Sequence, residues 1–250
     1  MEAETLAKVI RGDTVESIHR GHIAVVDGNG ETVFQLGDPT TVTFFRSACK
    51  PFQAMPLITS GAADAFGFTT DEIALAAASH SGEDIHVQTA ARMISKIGLS
   101  ESDLRCGAHL PFYEKEAERM LRADEDPTQF HNNCSGKHAA MLAVARHIGA
   151  DITTYERLEN PVQQAILDAT SKFSGVPVDQ IRIGIDGCAA PNFAVPVSAM
   201  ARSFAHLVSL PESLGDEFKK AAKRIVSAMI AFPELIGGTG RLDTMLMQAA

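Results

Sequence analysis

At 250 residues, with 45% hydrophobic and 21% charged side chains, the chain has the size and composition of a soluble domain that buries a sizeable core. Its 31 acidic residues outnumber 22 basic ones, and the net charge of -9 argues against nucleic acid or an anionic membrane as partner, since both need clustered cations. No apolar run approaches a membrane span and Met1-Glu2-Ala3-Glu4 lacks the pattern of a signal peptide, so a cytoplasmic protein of one domain over residues 1–250 is expected.

Residues 22–26 read as an apolar strand, Asp27-Gly28-Asn29-Gly30 as a hairpin turn and residues 32–36 as the returning strand. The β-branched and aromatic run 40–45 suits a third strand. Ser47 then stands where an N-cap is expected, ahead of a helix over 50–58 that Ser60-Gly61 ends. A small-residue helix over 71–78 stops at the polar break Ser79-His80-Ser81-Gly82, and an amphipathic helix over 83–97 closes at Gly98. Residues 114–122 predict a short charged helix, followed by a solvated acidic turn, Asp124-Glu125-Asp126-Pro127. Further helices are predicted over 139–148 and 156–173, the latter bounded in its regular part by Pro161. A short apolar strand over 181–186, helices over 197–207 and 216–231, and the glycine loop 237–241 complete the chain. Strands early and helices in the middle make an α+β pattern rather than alternating βαβ units.

The first reactive group is Arg46-Ser47-Ala48-Cys49-Lys50-Pro51-Phe52. Residues three apart share a helix face, so the amine of Lys50 is placed to reach the hydroxyl of Ser47. A serine hydroxyl is a poor nucleophile at neutral pH, and a nearby neutral amine is one way to take its proton. Ser47 as a simple helix cap and Lys50 as a solvated cation is the competing reading. Ser79 and Asp186 each stand at the end of an element, where capping and a site role are equally open.

The four cysteines, Cys49, Cys106, Cys134 and Cys188, are too scattered for a disulfide scaffold and are expected as free thiols or metal ligands. Cys134 lies between His131 and His138, which suits a cysteine nucleophile with its base, a metal site, or a small residue under a polar loop. For a metal, His138 would be the expected third donor beside Cys134 and Cys188, because lysine must lose a proton before it can bind. Gly136-Lys137 is not a phosphate loop: the earlier glycine is missing and His138 replaces the Ser or Thr that would bind magnesium. His86, His109 and His147 read as structural or surface residues.

Taken together, Arg46-Ser47-Ala48-Cys49-Lys50-Pro51, Ala78-Ser79-His80-Ser81-Gly82-Glu83, Asn132-Asn133-Cys134-Ser135-Gly136-Lys137-His138 and Asp186-Gly187-Cys188-Ala189-Ala190-Pro191 resemble the L-asparaginase II family in order and spacing, across essentially the whole chain. The resemblance implies an antiparallel sheet with a helical part, in the manner of serine β-lactamases, penicillin-binding proteins and glutaminases. It implies hydrolysis of L-asparagine by Ser-Lys units, with Ser47, Lys50 and Ser79 catalytic, and a zinc ion held by Cys134, Lys137 and Cys188. Arg46, His138 and Asp186 are the candidate substrate contacts, His138 and Asp186 alternatively supporting the metal ligands from behind. A homodimer is the expected assembly.

Members of that family continue beyond the point where this sequence stops, and the lysine partner of Ser79 lies in that further segment; Lys219, Lys220 and Lys223 do not match its position. A C-terminally shortened member, with late strands of the sheet missing, is therefore expected. Two rivals to the Ser-Lys enzyme stand: a Cys134-based amidohydrolase, and a zinc-binding but catalytically inert fragment or regulatory relative.

Overall fold

The strands of this α+β fold lie in three small antiparallel sheets beside a helical body, in a computed structural model that describes residues 3–249. The start read for a leader, Met1-Glu2, and the terminal Ala250 lie outside the described residues. Among the described residues no helix is long and apolar enough to cross a membrane.

Strands β1 (Glu4–Arg11) and β2 (Thr14–Gly21) form a hairpin that the sequence pattern hides. Register shifts at Thr5/Ala7 and Val9/Ile10 break the two-residue alternation that would mark them. The predicted hairpin is present as β3 (Ile23–Val26) and β4 (Thr32–Leu36). Its turn is closed by Asp27, whose carboxylate accepts from the Asn29 and Glu31 N–H groups at 2.9 and 3.0 Å. Both hairpins leave apolar side chains exposed, among them Ile10, Ile18, Val33 and Phe34.

The third predicted strand is shorter, β5 (Val42–Phe44), and does not extend the hairpin. It pairs instead with a late strand, β7 (Pro191–Pro196), which also pairs with β6 (Arg182–Ile185) to give the order β5-β7-β6. A proline at each end of β7 kept it from reading as a strand. Both sit at the limits of the pairing, Pro191 opposite Ile185 and Pro196 opposite Val42, where a missing N–H costs least.

The helix predicted over 50–58 is broken. A 3-10 turn (Arg46–Cys49) leads into Lys50–Gln53, and a separate helix runs Met55–Thr59. Pro51 and Pro56 each stand in a first turn, and Pro56 cannot donate back to the preceding turn. Helix Thr70–Ala76 is capped reciprocally by Thr69 and Glu72. The helix expected from residue 156 begins only at Pro161, because Asn160 caps it by accepting from the Val162 N–H at 3.0 Å.

The central element is the helix Ser135–Ile148, which starts four residues before the predicted position and is buried without interruption from Ser135 to Ala145. A helix buried on every face belongs inside a body of other helices, and its polar members Ser135, Lys137 and His138 need partners there. It packs on Thr70–Ala76, Asp84–Lys96, Met55–Thr59 and Pro161–Ser174. Small residues on its surface, Gly136, Ala139, Ala140 and Ala143, let those neighbours approach closely.

A second anchor is aromatic. Phe52 is fully buried and meets Phe45, Phe173 and Phe204 at centroid distances of 5.8, 5.3 and 5.4 Å, tying the Lys50–Gln53 turn to the late helices. Phe52→Ala is expected to cost about 3–5 kcal/mol in urea unfolding. A loss under about 1 kcal/mol would show that this cluster does not hold the turn.

Candidate active site

The site begins where β5 ends. Phe45 N–H donates to the Phe193 carbonyl at 3.0 Å and Arg46 N–H to Asn192 Oδ1 at 3.1 Å, which fastens the turn to β7. Arg46 has φ of 54°, a left-handed conformation that costs a non-glycine residue roughly 1–2 kcal/mol. That kink lifts the next residue out of the strand. Ser47 is thus inside the 3-10 turn, and no side-chain capping bond is made at this helix start. The capping role is overturned, and the hydroxyl is exposed for other use.

Ser79 arrives from the polar break after helix Thr70–Ala76, held by its N–H on the Ile236 carbonyl at 3.1 Å. Its Oγ donates to Ser47 Oγ at 3.0 Å and accepts from Asn133 Nδ2 at 3.1 Å. Two motifs 32 residues apart therefore meet at hydrogen-bond distance.

Lys50 is 2% exposed, so the solvated-cation reading is also overturned, but its Nζ makes no direct hydrogen bond to Ser47 or Ser79 among the described residues. Its Nζ donates to the Ala78 carbonyl at 2.7 Å and to the Asn133 carbonyl at 2.9 Å. One acceptor belongs to the residue before Ser79 and the other to the residue whose amide bonds Ser79. Burial pulls the Lys50 pKa down and the Lys137 ammonium adds to this, against the opposing pull of the Cys134 and Cys188 sulfurs.

Ser47, but not Ser79, lines a cavity of roughly 240 Å³ together with Arg46, His109, Asn133, Cys134 and Asp186 among others. That is below the roughly 300–1,000 Å³ of pockets for drug-sized ligands and suits an amino-acid-sized molecule. Arg46 Nε lies 3.8 Å from Asp186 Oδ1, so both signs of charge stand at this cavity. Asp186 also takes its capping role, accepting from the Gly187 N–H at 2.9 Å. On the other side of Ser47 and Ser79 is a cavity of roughly 350 Å³ walled largely by apolar residues, including Phe204, Met229 and Met247.

Behind Ser47 and its charged neighbours, two thiols and an amine converge. Lys137 Nζ donates to Cys188 Sγ at 3.0 Å, and the Cys134 and Cys188 sulfurs share a hydrogen bond. That bond, opposed by burial and helped by the Lys50 and Lys137 ammonium groups, holds the Cys134 pKa well below that of an ordinary thiol, while Cys188 is pushed up. Burial disfavours the Lys137 charge, but the two sulfurs and Asp186 outweigh it and its pKa is raised.

Among the described residues, no three His, Cys, Asp or Glu side chains gather in one place, so any metal here needs the amine as its third donor. Cys134, Lys137 and Cys188 are all buried and close to one another, Cys134 and Cys188 also line the cavity, and the amine would have to lose its proton before it could bind a metal. Cys49 and Cys106 lie apart from this group, beside Thr170 and Gln129.

His138 stands elsewhere. It is fully buried, its Nδ1 meets the Tyr155 hydroxyl at 2.7 Å, its Nε2 has no partner among the described residues, and it is not among the residues lining the cavity. Helical geometry explains this: residue 138 follows Lys137 by about 100° of rotation and so turns away from the face that carries the sulfurs. Conversely, Asn133 and His109 do touch the site. His109 reads from the sequence as a structural or surface residue, and its place at the cavity corrects that expectation.

Compared with known families, the chain matches L-asparaginase II over residues 7–250. Among curated proteins, none matches it.

Proposed function

The chain belongs to the L-asparaginase II family, and we propose that it hydrolyses L-asparagine to L-aspartate and ammonia with Ser47 as nucleophile and Lys50 as its base. The observation that carries this reading is the Ser79–Ser47 hydrogen bond of 3.0 Å, with the buried Lys50 amine held on the carbonyls of Ala78 and Asn133, the neighbour and the partner of Ser79. We read the small antiparallel sheet β5-β7-β6 beside a helical body, with Ser-x-x-Lys entering a helix, as the serine β-lactamase and penicillin-binding-protein architecture.

The substrate is a zwitterion. Asp186 suits its ammonium group and Arg46 its α-carboxylate, which leaves the side-chain amide toward the serines. A neutral Lys50 has two N–H groups and one lone pair. The Ala78 and Asn133 carbonyls take both N–H groups of the neutral amine and the Cys134 sulfur stands beside it, so the proposed transfer requires the Lys50 lone pair to turn from the sulfur to the serine proton. Ser47 Oγ then attacks the amide carbon, the C–N bond breaks, and ammonia leaves with the proton returned by Lys50. Water attacks the resulting aspartyl ester, gives its proton to Lys50, and restores the hydroxyl.

Zinc held by Cys134, Lys137 and Cys188 would supply fixed positive charge beside the substrate site. Cys188→Ser and Lys137→Met are each expected to lose bound zinc after dialysis, read by elemental analysis, while Cys49→Ser keeps it. Full zinc retention in Lys137→Met would contradict ligation by the amine.

The deciding assay is ammonia release from L-asparagine by the purified chain beside its Ser47→Ala variant. Turnover that disappears in the variant is expected; unchanged turnover would refute the assignment, and no turnover in the parent chain would favour an inert relative. One observation favours a second nucleophile: Cys134 is a cavity-lining thiol held toward the thiolate. Stoichiometric alkylation of Cys134 that spares turnover would remove it. The reading also takes the protein as a cytoplasmic homodimer, whose mass in solution sedimentation measures.

A further inference from the structure

Resting on that functional reading, we infer that Glu83 is a positioning residue for Ser79: its carboxylate ties the glycine loop 237–241 to the segment carrying Ser79 and so keeps Ser79 against Ser47. Two polar stretches that the proposed chemistry leaves unused meet here, residues 80–83 and the glycine loop, with Glu83 and Thr239 lying 156 residues apart in the chain. Glu83 Oε1 accepts from the Ser81 hydroxyl at 2.6 Å and from the Thr239 N–H at 2.8 Å, and Oε2 accepts from the Thr239 hydroxyl at 2.6 Å. A carboxylate offers two oxygens and no proton of its own, which is what three converging donors require. Burial pushes the Glu83 pKa up, but the Ser81 and Thr239 donors outweigh it and hold the carboxyl below the ordinary glutamate range.

The residues just before the loop complete a strap across the Ser79 segment. The Ser79 N–H donates to the Ile236 carbonyl at 3.1 Å. His86 Nδ1 accepts from the Glu83 N–H at 3.0 Å, which leaves the ring proton on Nε2 to donate to the Glu234 carbonyl at 2.9 Å. From its other side the Thr244 hydroxyl donates to the Gly238 carbonyl at 2.8 Å. The crossing is close: Gly238 has φ of 107°, and a Cβ there would overlap Ser81 Oγ and Glu83 Oε1. Ser79 is thereby gripped from two sides, by Lys50 on the Ala78 carbonyl and by the strap on its own N–H. Ile236 and Ser79 also line the same apolar cavity, so a strap that lifts moves the wall and frees the serine backbone together. Glu83 makes no hydrogen bond to Ser47 or Ser79 among the described residues and acts through the loop.

The test reads the Ser79 amide directly. Exchange of its N–H with heavy water, followed by NMR, reports whether the strap is closed and needs no substrate. Thr239→Val keeps the side-chain volume but removes the hydroxyl bond, and is expected to speed Ser79 exchange about tenfold while the Phe45 N–H on β7 keeps the parent rate. In the same variant asparagine kcat is expected to fall about tenfold, with KM within about threefold because Thr239 is not at the charged cavity. Thr239→Ser restores the donor and is expected to bring exchange and kcat back to within about threefold of the parent. Glu83→Gln turns one acceptor into a donor facing Thr239 and is expected to exceed the valine variant in both effects. Ser79 exchange at the parent rate in Thr239→Val would overturn the inference. Equal kcat for the valine and serine variants, or faster exchange at parent kcat, would also overturn it, and the Thr239 pair remains decisive where Glu83→Gln does not fold. A parent chain that releases no ammonia would refute the substrate reading, and the exchange rates would then decide by themselves whether Glu83 holds Ser79.

Discussion

Lys50→Met is expected to lower asparagine turnover about 10³-fold or more, because it removes the buried amine proposed as the base. Methionine is close to lysine in length and apolar, so the stem packing survives. The Ala78 and Asn133 carbonyls lose their donor, at about 1–3 kcal/mol for each group left unpaired. Against this, the variant no longer buries an ionisable amine, which offsets part of the loss. The fold is therefore expected to persist, visible as an unchanged circular dichroism spectrum, while kcat collapses. Lys50→Arg gives no rescue, since a guanidinium stays charged and has no lone pair to offer. A methionine variant with turnover within tenfold of the parent would show that another group removes the serine proton.

Gly136→Ala produces the second large effect, on stability. A Cβ added there would lie 2.6 Å from Leu75 Cγ and 2.8 Å from its carbonyl carbon, and closer still to the carbonyl oxygen. Much of the obstacle is backbone, so no side-chain rotation relieves it. Either helix Ser135–Ile148 or helix Thr70–Ala76 must shift, at a cost of about 3 kcal/mol or more in urea unfolding. Helix propensity alone predicts the opposite sign, a gain of about 1 kcal/mol. The measurement thus separates close packing from propensity, and a stabilised variant would contradict the contact.

Much of this arrangement was legible in the sequence where a local rule decides it. The Asp27 turn, the Thr69–Glu72 cap and the long amphipathic helices follow from short-range chemistry and appear close to their predicted places. Strand β7 was not legible, because two prolines bound it and its partners come from residues 42–44 and 182–185. The hairpin β1–β2 was lost to register shifts, and the helix over 50–58 to a proline that breaks it. Ser47 and Lys50 could be singled out from their spacing, and the family resemblance added Ser79 and the thiol-amine group. The site also depends on contacts between distant segments that spacing cannot express: Ser47 with Ser79, Lys50 with the Ala78 and Asn133 carbonyls, and His109 with Asn133. His109 carried no local signal, since its partner lies 24 residues away.

Catalysis by Ser47 requires a covalent ester on its hydroxyl. Mixing the chain with L-asparagine, quenching in acid within a turnover and mapping the adduct by peptide mass measures it directly. An aspartyl group on Ser47, absent from Ser47→Ala and depleted in Lys50→Met, is the predicted result. Turnover with the aspartyl group on Cys134, or with no enzyme-bound ester at all, would contradict it.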